Sequence, residues 1–128
     1  MRRAIFVACA LMTMVTVGLF ADEEKAGEKQ TTLEGRLIDL SCYAMGMGGE
    51  KHSKCALLCA EKGLPVGVLE AKTGKVFTVL LPSPGLATYV EQSVRITGKV
   101  HSEVLFAPKM MEVREGKEWK EVKLPSAM

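Results

Sequence analysis

Three cysteines crowd into the 18 residues from Cys42 to Cys59, in the spacing C-x12-C-x3-C, with His52 three residues ahead of Cys55. If residues 51–62 form a helix, His52, Cys55 and Cys59 stand at i, i+3 and i+7 and project from one face. Cys42 lies upstream, where a predicted strand ends, and can close onto that face. A chain that brings these groups together must pack the end of its first strand against the side of the helix that follows.

The residue types give that packing a chemical meaning. Cysteines at i and i+4 on a helix can converge on one ion, as the two histidines of H-E-x-x-H do. Cys42 adds a third sulfur and His52 a nitrogen, a Cys3His set suited to tetrahedral zinc. The same soft sulfurs suit Cu(I), and Met45 and Met47 in the adjacent loop offer thioethers as alternative ligands. Asp39, three residues before Cys42, is placed to orient a ligand or to act as one itself. Haem attachment would need C-x-x-C-H, which the sequence lacks.

Two other readings compete. A disulfide from Cys42 to Cys55 or to Cys59 would tie helix to strand, stabilise a small domain by roughly 2–4 kcal/mol and leave one thiol. Cys55 to Cys59 is a poor bridge, because side chains one helical turn apart sit too far apart at Cβ. A thiol oxidoreductase is the third reading, disfavoured by the lack of C-x-x-C.

The N-terminus sets the compartment. Met1-Arg2-Arg3 is a positive n-region, residues 4–19 are almost continuously apolar, and Phe20-Ala21 gives way to Asp22-Glu23-Glu24. This predicts a signal peptide over residues 1–21, and hence a periplasmic or secreted protein. An uncleaved leader would be its only tie to a membrane. Lys and Arg number 17 against 15 Asp and Glu; taking away Arg2 and Arg3 leaves 15 against 15, so no basic surface argues for nucleic acid. Cys9 leaves with the leader. The three cysteines that remain are an odd number for an oxidising compartment, which points to a metal, a spare thiol or an intermolecular bridge.

Residues 22–31 are charged and lack apolar anchors, so they are expected to form a flexible linker. A domain follows over residues 32–124. Residues 32–40 read as a first strand with Gly35 as a bulge, and residues 44–49 as a glycine-rich loop. Gly63 and Pro65 stop the helix, for which Ser53 is a candidate N-cap. The period then changes. Residues 66–70 and 75–81 flank a hairpin turn, and residues 86–90 suit a short helical turn. Residues 93–100 alternate with Val94, Ile96, Gly98 and Val100 on one face. Residues 104–106 and 110–114 give further strand around Pro108, and an edge strand with Trp119 as its anchor closes the chain. His101 reads as a solvated turn residue and Met110-Met111 as core filling. The expected fold is mainly β with one short helix, a small antiparallel OB-like barrel, with a small β-sandwich as the alternative.

Around the cysteines, Asp39, Cys42, His52, Cys55, Ala56, Cys59, Gly63 and Pro65 spell D-x-x-C, H-x-x-C-A-x-x-C and G-x-P. In this the chain resembles a group of small exported bacterial proteins of uncharacterised function, over residues 33–65. The resemblance implies a recurring Cys/His site on an OB-like barrel and brings no catalytic residue with it. No paired-carboxylate, Ser/His/Asp or phosphate-loop motif is present, so hydrolase and nucleotide chemistry lack support. The expectation is a non-enzymatic binding module with a zinc or copper site, accessory to an envelope protein partner. A disulfide-stapled interaction domain and a thiol redox protein remain as alternatives.

Overall fold

A computed structural model describes residues 29–126. The predicted leader and most of the predicted linker lie outside these residues. Six strands form the body: β1 (Thr31–Asp39), β2 (Val66–Glu70), β3 (Val76–Val79), β4 (Ser93–His101), β5 (Leu105–Glu115) and β6 (Glu118–Val122). Two short helices, α1 (Leu40–Ala44) and α2 (Ser53–Glu61), lie between β1 and β2, and a 3₁₀ segment (Ser83–Tyr89) links β3 to β4. The protein is thus mainly antiparallel β, as its alternating strands require.

The strand order is β3-β2-β1-β4-β5-β6, and β3 also runs beside β5 in parallel, pairing Thr78 with Leu105 and Val79 with Phe106. That extra pairing joins five strands into a partly closed ring and leaves β6 on its rim. Inside lie Leu33 and Leu37 of β1, Val66 and Val68 of β2, Val94 and Ile96 of β4, and Phe106, Met111 and Val113 of β5. In β1, β2 and β4 each set keeps the even spacing that a strand imposes, while in β5 the extra residue Lys109 moves the inward positions from Phe106 to Met111 and Val113. Phe77 and Phe106 meet edge to face with ring centroids 6.5 Å apart.

Two glycines let the ring close. A β-carbon at Gly35 would lie 2.0 Å from the Leu69 carbonyl oxygen, and one at Gly98 would lie 2.1 Å from that of Ala107. At Gly98 the register of β4 against β5 also shifts, opposite Pro108, which has no N–H to give the ladder. β5 therefore runs unbroken through Pro108, where the sequence suggests two pieces. The inward stripe of β4 stops at Gly98, since Val100 is 38% exposed.

The helices form an excursion that leaves and rejoins the ring at one rung. Asp39 pairs with Val66, and the Leu40 N–H donates to the Pro65 carbonyl at 3.0 Å. Residues 40–65 are thereby clasped at their base. α2 buries Ala56 and Ala60 completely against the body. It ends in a Schellman turn: Leu64 N–H donates to the Cys59 carbonyl and Gly63 N–H to that of Ala60, both at 3.0 Å, with Gly63 at φ +89. Among the described residues no helix is long and apolar enough to cross a membrane.

Candidate metal centre

α1 is the element the sequence reading lacked. Asp39 closes β1 with extended backbone (φ −75, ψ 123), and its Oδ1 accepts the Cys42 N–H at 2.7 Å. This is an aspartate N-cap, and it turns the chain at once into a helix whose one buried residue is Cys42. Cys42 therefore sits in the first turn of a helix. The cue was present in Asp39 itself, a residue type that favours N-caps.

α2 supplies the other two sulfurs. Because Ala56 and Ala60 take the core side, Cys55 and Cys59, each one residue earlier, stand on the neighbouring face. The Sγ atoms of Cys42, Cys55 and Cys59 all lie within 4.8 Å of one another, and all three are free thiols. Cys42 Sγ stands 3.8 Å from Cys55 Sγ. Two sulfurs bound at about 2.3 Å to one tetrahedral zinc would be about 3.8 Å apart. A disulfide needs about 2.05 Å. The distance is that of a thiol hydrogen bond donated by Cys42 to Cys55, and it is also one that two sulfurs sharing an ion would have.

His52 is not a member of this group. The predicted helix over residues 51–62 is in fact a 3₁₀ turn (Glu50–His52) followed by α2, with His52 as the N-cap at φ −109, ψ 5. Its backbone is not α-helical, so its side chain falls off the stripe that carries Cys55 and Cys59. Asp39 is also outside the group, although it lies against Cys42. Met45 is 66% exposed, and Met47 is half-buried with its N–H held by the Cys42 carbonyl at 2.9 Å. His101 is exposed at the far end of β4, as expected for a solvated residue.

The surroundings are apolar and acidic. Burial first, then hydrogen bonds to Asp39 and to Cys55, push the Cys42 thiol up to about 12 from an ordinary 9.0. Burial also raises Cys59, against a hydrogen bond from the Cys42 thiol that lowers it. Asp39 is 1% exposed, and its Oδ2 has no hydrogen-bond partner among the described residues. A buried carboxylate oxygen without a partner, beside three converging thiols, is a setting that a cation would complete.

The loop from α1 to α2 is pinned by a residue far along the chain. Glu91 accepts the Gly49 N–H at 2.9 Å and pairs with Arg36 Nε at 3.2 Å. It does so at φ +67, a conformation that non-glycine residues rarely adopt. Elsewhere, a groove of about 440 Å³ runs past Arg36, Glu70 and Trp119 and contains none of the sulfurs. The Trp119 ring there is already stacked by Arg95, 4.3 Å from its centroid.

Fold and cluster together define a small, mainly antiparallel β protein with a three-cysteine group able to hold a metal ion. Compared with known protein families, with curated proteins and with solved structures, the chain matches none.

Proposed function

We propose that this chain is an exported binding module of the cell envelope that holds a soft metal ion, zinc or copper(I), through Cys42, Cys55 and Cys59. The observation that carries the reading is the convergence of three thiol sulfurs within 4.8 Å on two separate helices. All-sulfur donors favour these metals over magnesium or calcium, which take oxygen. The three thiols bind by losing their protons to become thiolates, and the ion supplies positive charge beside the buried Asp39. The order β1-β2-β3-β5-β4 of the ring, with β3 and β5 parallel, supports an OB-type barrel, and the excursion then occupies its first loop, a common place for ligands in that architecture. Export rests on the leader sequence, and an envelope partner on the module's small size and lack of catalytic groups.

The test is elemental analysis of anaerobically purified protein combined with a thiol count. One zinc or copper per chain, with three thiols protected until the protein is unfolded, is the expected result. Metal-free protein with a single reactive thiol would instead assign a disulfide staple, since Cys42 and Cys55 are near enough to join after a small movement.

A further inference from the structure

We infer that the three-sulfur centre leaves one coordination position open on the Cys55 side, and that this position takes a thiolate or an imidazole from outside the chain. The inference rests on the metal reading above and adds to it the ligand that the bound ion would accept. Zinc sites that are purely structural are closed by four protein donors, whereas sites with three keep a place for an outside ligand. Here the group within 4.8 Å has three members.

Among the described residues, the other nitrogen and oxygen candidates stand outside the three-sulfur group. His52 caps α2 with non-helical backbone and leaves the stripe of Cys55 and Cys59. Asp39 Oδ1 is taken by the Cys42 N–H, and the carboxylate lies on the buried side, outside the three-sulfur group. Access is graded across the three sulfurs: Cys42 is buried, Cys59 half-buried and Cys55 exposed. An arriving donor therefore meets the ion at the Cys55 edge.

The surface carrying that edge mixes apolar side chains with the exposed Lys51, Lys54 and Lys62. Tyr43, Met45, Leu58 and Leu64 are four of the eight large apolar side chains exposed among the described residues, and all four belong to the excursion over residues 40–65. Leu58 stands three residues after Cys55, on the same side of α2. The lysines favour an incoming anionic donor such as a thiolate, and the apolar side chains offer contact area at the same edge. They also suit a donor that arrives with an apolar body, as a cysteine or histidine side chain of another protein does.

Cobalt(II) gives a direct readout, because its visible d–d bands respond to each ligand and its thiolate charge-transfer band reports the sulfurs. The full chain is loaded anaerobically with Co(II) and titrated with imidazole and, separately, with 2-mercaptoethanol. The expected result is a saturable shift of the d–d bands with each ligand while the charge-transfer band persists, unchanged in His52→Ala and in Met47→Leu. If neither ligand moves the bands, or if either variant alters them before any ligand is added, the fourth donor belongs to the chain and the inference falls while the metal reading stands. Absence of any thiolate-to-cobalt band overturns both.

Discussion

Cys42 and Cys55 share one proposed ion but live in different surroundings, and substitution should separate their two roles. Cys42 is buried in the core-facing side of α1, whereas Cys55 is exposed. Cys42→Ala and Cys55→Ala should both abolish stoichiometric metal binding. In metal-free protein, Cys42→Ala should cost about 1–2 kcal/mol through the space it leaves. Cys55→Ala should stay within about 0.5 kcal/mol of the parent. Denaturant unfolding with and without a chelator checks both arms. Asp39 allows a finer experiment. Asn caps a helix as well as Asp does, so Asp39→Asn should keep α1 while removing the charge beside the thiol. The Cys42 thiol should then ionise at lower pH than the parent's value of about 12, yet above 9.0, since burial is the largest cause of the shift and is untouched. Thiolate absorbance followed through an alkaline titration of metal-free protein measures this.

At the level of elements, the sequence was legible wherever a local signal was strong. The hairpin turn gave β2 and β3, alternation gave β4, and Gly63 with Pro65 gave the end of α2, now seen as a Schellman turn. The spacing of Cys42, Cys55 and Cys59 gave the cluster. His52 stands outside the three-sulfur group by one residue: the regular helix begins after it, so the 3.6-residue period does not reach it. α1 escaped notice because five residues carry too little periodicity to register. The Glu91 clamp was out of reach, since Gly49 is 42 residues away in the chain and only the fold makes them neighbours. The continuity of β5 through Pro108 depends on a register shift against β4, with Lys109 as the extra residue, that no single strand announces. Gly35 tests the ring directly. Gly35→Ala drives a β-carbon into the Leu69 carbonyl, and β1 and β2 would have to part around it. The expected loss is roughly 2 kcal/mol or more. Gly63→Ala faces no clash and only an unfavourable φ, so about 1 kcal/mol is expected. The order of the two midpoints in urea decides whether close approach or backbone conformation is the stricter constraint.

For the molecule as a whole, the cluster links stability to pH in opposite senses with and without metal. In the reduced, metal-free protein the Cys42 thiol holds its proton up to about 12, while in the unfolded chain it would release it near 9.0. A folded state that binds a proton more tightly is stabilised below the unfolded value. That contribution is therefore intact up to about pH 9 and is lost as pH climbs through 12. Metal reverses the dependence, because the ion binds only after protons leave the sulfurs, so acid competes with it and affinity rises with pH. An ion bound to the folded state alone adds RT ln(1 + [L]/Kd), about 4 kcal/mol when free metal exceeds Kd a thousandfold. For a domain of this size that raises Tm by at least about 10 °C. The gap in Tm between zinc-loaded and chelated protein should therefore be small in mild acid and widen steadily toward pH 8. The chelated protein alone should soften between pH 9 and 12. Calorimetry across that range with both forms makes the comparison, and a gap that stays constant with pH would mean the ion is not held by thiolates.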